Sequence, residues 1–208
     1  MRRLFNRERD WLVRGFASIN ALLLFVFVMT LSSCNKGNSS TSSGCVTEFM
    51  GIPVDGPKER FISALEKKGF EKVEGVDGDL MDGEFNGQRC GVLINTVKGV
   101  VSCVSVAPFN LSDRAMAQLG YNDLLEAFSN NPKYQLSSED VVQRVSDRIR
   151  SVGLGTILDF AVFNQVGNCP NSIENRPVHL MLLRLDYGFY IWAIYYYNPY
   201  NMQNGEDL

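Results

Sequence analysis

Two hairpin signals restrict what this chain can fold into. In each, two apolar runs flank a short turn that contains glycine: residues 90–96 and 100–106 around Lys98-Gly99, and residues 178–185 and 189–197 around Asp186-Tyr187-Gly188. Runs rich in β-branched and aromatic residues on either side of a glycine turn are typical of antiparallel strand pairs. The sequence therefore predicts a fold built on an antiparallel sheet.

Further strands and two helices are predicted around these hairpins. Short strand patterns occupy residues 46–50, 70–73, 80–85 and 157–166. A first helix is expected to open at Asp55-Gly56-Pro57, with Asp55 or Gly56 as its cap, and to stop at Gly69. A second is expected to open at Ser112-Asp113 and to end at Asn130-Asn131-Pro132. Its apolar residues recur every three or four positions: Met116, Leu119, Tyr121, Leu124, Leu125 and Phe128.

A third helix is predicted between residues 137 and 153. Ser137 with Asp140 forms a candidate capping box, and Gly153 is the expected stop. Its apolar stripe is Val141, Val142, Val145, Ile149 and Val152. Helices beside a mainly antiparallel sheet predict an α+β fold in which helices pack on the sheet.

The two hairpins also suggest an internal repeat. An offset of 89 residues places Lys98-Gly99-Val100-Val101 on Tyr187-Gly188-Phe189-Tyr190. This pattern favours a duplicated αβββ unit with halves 46–109 and 110–208. Because any two hairpins align at their glycines, chance similarity remains open as an alternative.

The first 45 residues are predicted to lie outside the globular fold. Five arginines precede an apolar run at residues 19–31, which is shorter than the roughly 20 residues that span a bilayer. The Leu31-Ser32-Ser33-Cys34 ending resembles the lipobox of bacterial lipoproteins, which implies acylation at Cys34. The alternative is a plain signal peptide or a buried Cys34. We expect a signal peptide at 1–33, a linker rich in Ser, Gly and Asn at 34–45, and a globular domain at 46–208.

The resemblance at Cys34 predicts attachment to a membrane through an N-terminal lipid. The expected location is the cell envelope, at the outer membrane facing the periplasm, because Asn35-Lys36 lacks the acidic run that resembles a surface-export tag. The cell surface is the alternative. A nucleic-acid partner is disfavoured, since 20 Lys and Arg face 23 Asp and Glu.

Four further cysteines, Cys45, Cys90, Cys103 and Cys169, allow two disulfides in three pairings. Depending on the turn, Cys90 would oppose Ser105 or Ala107. Both registers place Cys90 and Cys103 on one face without making them direct neighbours. Pairing stays open, as does the alternative of free buried thiols. A zinc site is not expected, because there is no CxxC motif and His179 is the only histidine.

A wider resemblance lies mainly at the two ends of the globular region. It is carried by Phe49-Met50-Gly51-Ile52-Pro53-Val54-Asp55-Gly56, Phe61, Leu65, Lys68-Gly69-Phe70, Gly83-Glu84-Phe85-Asn86-Gly87, Tyr195, Tyr197-Asn198, Tyr200-Asn201 and Asn204-Gly205-Glu206-Asp207-Leu208. There the chain resembles uncharacterised lipoproteins and secreted proteins of Bacteroides-type gut bacteria. The likeness covers most of residues 46–208 and is loose at 135–153. The family has no established activity, so the resemblance implies no catalytic residue. Its layout is similar to tandem β-lactamase-inhibitor-like domains, which bind proteins through a concave sheet.

No catalytic, metal or cofactor residue is predicted. His179 fits a satisfied core histidine or a strand-end residue better than a base. An acidic cluster, predicted as a loop, invites a calcium interpretation: Asp77, Asp79, Asp82 and Glu84. The EF-hand pattern fails there, because Met81 and Gln88 occupy ligand positions. Asp-Gly turns explain the same residues.

The most distinctive tract is the aromatic run at residues 187–200, which contains the predicted strand at 189–197. Alternation places Tyr190, Trp192 and Tyr196 on one face, where they could form an exposed binding platform. The favoured interpretation is that both faces are core, since large exposed apolar patches are uncommon. The expected function is a non-enzymatic binding module for a protein or glycan partner. The alternatives are an envelope hydrolase that uses a carboxylate pair and a purely structural role.

Overall fold

A computed structural model of the chain describes residues 46–75, 79–138, 156–167, 176–185 and 188–202. The strands found there are β1 (Glu48–Phe49), β2 (Ile52–Pro53), β3 (Glu71–Lys72), β4 (Asp79–Phe85), β5 (Gln88–Val97), β6 (Val100–Pro108), β7 (Tyr134–Leu136), β8 (Thr156–Gln165), β9 (Pro177–Arg184) and β10 (Tyr190–Tyr197). The helices are α1 (Lys58–Glu66), α2 (Arg114–Asn130) and α3 (Pro199–Met202).

Eight of these strands form one antiparallel sheet. The order is β3-β4-β5-β6-β10-β9-β8-β7, and β1 and β2 form a separate two-stranded pair. Strands β3 to β6 fill one half of the sheet in chain order, and β7 to β10 fill the other half in reverse. The halves meet at the centre, where β6 pairs with β10 and Val106 lies opposite Ile194.

The predicted antiparallel sheet is confirmed, but the fold is mainly β rather than a balanced α+β. Among the described residues, α1 and α2 are the helices longer than one turn. Most of the predicted third helix, residues 139–153, lies outside the described residues, and Ser137 and Ser138 are not helical. No helix within the described ranges is long and apolar enough to cross a membrane.

The β5–β6 hairpin turns at Lys98-Gly99. Both residues have positive φ, 52° and 80°, as a two-residue turn of the I′ type requires. Further along, the register shifts: Thr96 pairs with Val101 but Asn95 pairs with Cys103, so Ser102 is an extra residue. The Ser102 hydroxyl donates to the Asn95 carbonyl over 3.3 Å. This bulge changes which side chains share a face beyond it.

The sheet has two buried faces, which we call face A and face B. Face A carries Val92, Val104, Leu180, Trp192 and Ile194 and forms one cluster with buried residues of both long helices. Face B carries Leu93, Ala107, Met181, Ala193 and Tyr195. The buried helix residues Phe61, Leu65, Ala117, Tyr121, Leu124 and Phe128 all belong to the face A cluster.

The ends of the helices show why they start and stop where they do. Asp113 caps α2 and accepts a hydrogen bond from the Met116 amide over 2.9 Å, as predicted. Gly69, with φ of 90°, follows α1 as the expected stop. The predicted cap of α1 is wrong: Pro57 is the cap residue, and it makes no side-chain bond. Asp55 instead accepts from the Asn201 amide.

Candidate functional site

The predicted platform of Tyr190, Trp192 and Tyr196 lies inside the face A cluster. Trp192 is 4% exposed and Tyr196 2% exposed, while Tyr190 is partly buried. Helix α2 lies directly over Trp192, because a Cβ on Gly120 would fall 2.8 Å from the indole Cδ1 and Nε1. The three side chains therefore do not form an exposed platform. The favoured interpretation, that both sides of this strand are core, is confirmed by the buried residues on each face.

Face B contains a row of polar side chains across the centre of the sheet. This polar strip consists of Asn95, Cys103, Ser105, His179, Tyr195 and Tyr197. Its members are cross-strand neighbours, since Tyr195 lies opposite both Ser105 and His179, and Tyr197 lies opposite Cys103. The His179 ring contacts Tyr197 at 4.7 Å and Phe160 at 5.4 Å between ring centroids. The strip gathers an imidazole, a thiol and three hydroxyl groups.

His179 does not have the environment of a catalytic base. It is 3% exposed, and burial lowers its pKa to about 3, so it stays neutral at ordinary pH. Its Nδ1 makes no hydrogen bond, and neither does the Tyr195 hydroxyl. The predicted core position of His179 is confirmed, but the prediction that its ring is satisfied is wrong, because Nδ1 has no hydrogen-bond partner. No member of the strip is a carboxylate that could orient the imidazole for general-base work.

The cysteines of the hairpin do not supply a nucleophile either. Cys103 lies on face B and Cys90 on face A, and both are free. Burial raises the pKa of Cys90 to about 12 and also raises that of Cys103, so both thiols stay protonated. The predicted shared face is wrong, because the bulge at Ser102 makes Cys90 oppose Pro108. Cys34, Cys45 and Cys169 lie outside the described residues.

The acidic cluster is strand rather than loop. Asp79, Asp82 and Glu84 belong to β4, and Asp77 lies outside the described residues. Asp79 pairs with Lys58 at 2.7 Å and with Lys72 at 3.6 Å. Asp82 accepts from the Arg89 guanidinium. Within the described ranges no group of three His, Cys, Asp or Glu side chains could hold a metal ion.

The outer side of α2 carries the exposed apolar residues that sequence reasoning missed. Met116 is 59% exposed and Leu119 53% exposed, although the predicted stripe placed both in the core. Leu119 follows the buried Ala117 by two residues, and two residues rotate a helix by about 200°. The small residues Ala117 and Gly120 are buried on the other side of the helix, and Gly120 lies against Trp192 of the sheet. The small size of Ala117 and Gly120 is the feature of the sequence that could have shown which side of α2 faces the sheet, because a helix can approach a sheet closely only through small side chains.

We call Met116 and Leu119 the α2 patch. Residues three apart lie side by side on a helix surface, so these two side chains form one continuous apolar surface. On the same helix the half-buried Gln118 donates to the exposed Asn122 over 3.1 Å. The exposed carboxylates of Asp113 and Asp123 lie three residues before Met116 and four residues after Leu119, so charged groups border the patch. Unbranched methionine adapts to irregular apolar partners. The patch therefore suits apolar side chains of another protein.

Comparisons of the chain with protein-family models, with curated proteins and with solved structures found no match.

Proposed function

We propose that this protein is a lipid-anchored cell-envelope protein without enzymatic activity, whose globular domain binds a protein partner through the α2 patch. The observation that carries the binding role is the exposed pair Met116 and Leu119, which the fold does not use as core. Contiguous exposed apolar surface is a mark of interaction sites, and methionine is enriched at protein interfaces.

The lipid anchor is supported by the Leu31-Ser32-Ser33-Cys34 motif and by the composition that follows it. Residues 35–44 are mainly Ser, Gly and Asn, a composition typical of linkers between an anchor and a folded domain. The described fold begins with the buried Val46. This arrangement suits a domain held close to a membrane surface, at the outer membrane facing the periplasm or on the cell surface.

A protein partner is favoured over a glycan. Two rings of the aromatic tract that could stack on a sugar are buried: Trp192 lies under α2, and Tyr196 packs against Phe49. The carboxylate-pair hydrolase gains no support from β4, where cations neutralise Asp79 and Asp82.

We also infer that the domain consists of two copies of one helix-and-strand unit, 46–109 and 110–208. The strand order supports this, since the described part of each half contributes one long helix and four consecutive strands of the large sheet, with β6 and β10 in equivalent central positions. Equivalent hairpins then fall at Gly99 and Gly188, both with φ of 80°.

Site-specific photo-crosslinking in cells tests the binding role. We expect a crosslinker at Leu119 to yield a discrete adduct that disappears when Met116→Ser is added. A crosslinker at Ser63, exposed on α1, is the matched control and should yield none. The absence of an adduct at Leu119, or the same adduct from Ser63, would contradict the proposal.

Labelling with an alkyne fatty acid tests the anchor. The intact chain should incorporate the label, and Cys34→Ala should abolish it without changing the folded domain, as checked by circular dichroism. Incorporation that persists in Cys34→Ala would exclude Cys34 as the lipidated residue. Protease treatment of intact and lysed cells then distinguishes the surface from the periplasm.

A further inference from the structure

We infer that the side chain of Arg176 binds a carboxylate group through the edge of its guanidinium that Nη1 and Nη2 form. Arg176 directly precedes β9 and is 7% exposed. The site shares no residue with the α2 patch, so the inference goes beyond the proposed function and does not depend on it.

Two neutral acceptors hold the other edge of the guanidinium. Nε donates to the Val46 carbonyl over 2.9 Å, and Nη2 donates to Gln165 Oε1 over 3.3 Å. A guanidinium has five N–H donors, so these two bonds leave three, two on Nη1 and one on Nη2. Among the described residues, no hydrogen bond involves Nη1. Because the group is planar and rigid, the bonds on its Nε side fix the direction in which the Nη1–Nη2 edge points.

Gln165 is itself held in place, which makes this half of the site rigid. Its Nε2 donates to the Glu48 carbonyl over 2.6 Å and to the Tyr134 hydroxyl over 3.2 Å. Its Oε1 also accepts from the Glu48 amide over 2.7 Å. The amide group therefore cannot turn without breaking bonds to β1 and β7. The guanidinium is oriented before a ligand arrives, which lowers the entropic cost of binding.

The charge of Arg176 is not balanced by the groups that hold it. Arginine is rarely buried unless it is paired with an anion, but both acceptors here are neutral. The ion pairs in the described ranges all involve the β4 carboxylates Asp79 and Asp82, and none of them includes Arg176. An anion on the Nη1–Nη2 edge would supply the missing negative charge.

Gly167 leaves room for a ligand beside that edge. A Cβ at this position would fall 2.5 Å from Nη1, so any other residue would collide with the guanidinium. Gly167 is exposed. Nη1 therefore lies beside a surface position, within reach of a small group from solution.

A carboxylate fits this edge better than a phosphate group. The two parallel N–H groups of a guanidinium edge match the two oxygens of a planar carboxylate. One guanidinium also supplies one positive charge, which a carboxylate balances, whereas a phosphate monoester carries a charge of about −1.5 to −2 at pH 7. Two sources provide a carboxylate: a free organic acid, and an aspartate or glutamate side chain of another protein.

Titration with sodium acetate tests the site by NMR on the full chain in detergent, with isotope-labelled arginine and constant ionic strength. We expect the Nε–H signal of Arg176, identified by its loss in Arg176→Lys, to shift and to saturate at millimolar acetate. The exposed Arg60 is the internal control, and its signal should not saturate.

Two results of this titration would overturn the inference. One is an Arg176 signal that does not move, or that moves only in parallel with the signal of Arg60. The other is saturation by inorganic phosphate but not by acetate, which would exclude a carboxylate as the ligand.

Gly167→Ala gives a second readout that keeps the charge in place. Its methyl group should displace Nη1, so the affinity for acetate should fall by about tenfold or more. Leu136→Ala, a change of an exposed side chain on β7, is the control and should retain the affinity. Undiminished binding in Gly167→Ala would contradict the use of the Nη1–Nη2 edge.

Glu174, which lies outside the described residues, is the internal alternative to a bound ligand. If its carboxylate already occupied the edge, acetate would shift the Arg176 signal only in Glu174→Gln. That result would overturn the inference. Equal affinity for acetate in the parent chain and in Glu174→Gln would support it.

A photo-crosslinker at Val166, which is 43% exposed next to Gly167, separates the two sources of the carboxylate in cells. A protein adduct that disappears in Arg176→Lys identifies a carboxylate of another protein, because lysine keeps the charge but lacks the two-pronged edge. No adduct, together with saturable acetate binding, identifies a free acid. A protein adduct that persists in Arg176→Lys would contradict recognition through this edge.

Discussion

The buried imidazole of His179 makes the stability of the fold depend on pH. Burial lowers its pKa from 6.5 to about 3, whereas the unfolded chain keeps the ordinary value. Below pH 6.5 only the unfolded chain takes up the proton, so the free energy of unfolding falls as the pH drops from about 6.5 toward 3. The loss should reach about 2 kcal/mol at pH 5.

Urea unfolding at pH 7 and pH 5 measures this loss, with His179→Leu as the comparison. The variant cannot take up the proton, so its stability should change by about 2 kcal/mol less between the two pH values. Other titrating groups affect both proteins alike. Equal changes in the two proteins would show that His179 is not the group responsible.

The close packing of Gly120 against Trp192 makes the stability of the protein sensitive to a single methyl group. Alanine is a better helix former than glycine by about 1 kcal/mol, but here its Cβ would lie 2.8 Å from the Trp192 ring. We expect Gly120→Ala to destabilise the protein by about 1 to 3 kcal/mol, because overpacking outweighs helix propensity. In a Trp192→Leu background the same change should be much less harmful. A stabilising Gly120→Ala in the parent chain would contradict the close approach.

At the scale of an element, α2 depends on its cap. The Asp113 carboxylate accepts from the Met116 amide, so Asp113→Ala should lower the free energy of unfolding by about 1 kcal/mol. Asp113→Ser should retain most of the stability. Asp123→Ala, an exposed change in the middle of the same helix, is the control and should have little effect. Equal losses from Asp113→Ala and Asp123→Ala in chemical denaturation would argue against the cap.

At the scale of the whole molecule, the two ends of the described domain are joined through Asn198. Its side-chain amide donates to the Val54 carbonyl over 2.7 Å, and its backbone amide donates to the Ser102 carbonyl over 2.8 Å. The Thr47 hydroxyl also donates to the Tyr197 carbonyl. These bonds tie the first strand pair to the centre of the sheet, where β6 and β10 meet.

Removing the Asn198 side chain, and with it the hydrogen bond to Val54, should destabilise the domain as a unit. Asn198→Ala leaves the Val54 carbonyl without its donor in the core, a loss of about 1 to 3 kcal/mol in the free energy of unfolding. Asn122→Ala, which removes only an exposed side-chain bond, is the control. Far-UV and near-UV circular dichroism should give one coincident urea transition for both proteins. Separate transitions would indicate that the two halves of the sheet unfold independently.

The sequence by itself determined the local features. The Lys98-Gly99 turn, the Asp113 cap and the Gly69 stop depend on the backbone preferences of a few adjacent residues, so they can be predicted without knowing the fold. The positions of the strands can also be predicted without knowing the fold, because each depends on a run of apolar residues that are adjacent in the chain. The aromatic tract was also predictable as a strand from its sequence. Which residues pack against each of its faces was not.

Only the tertiary structure decided how these elements combine. The pairing of β6 with β10 joins residues far apart in the chain, and no local preference specifies it. The bulge at Ser102 moved Cys103 to the face opposite Cys90, because one extra residue reverses the alternation of side chains in a strand. The close approach of α2 to Trp192 buried the predicted platform and left Met116 and Leu119 exposed. These outcomes depend on packing between segments that are distant in the chain, and the periodicity of the sequence alone does not specify that packing.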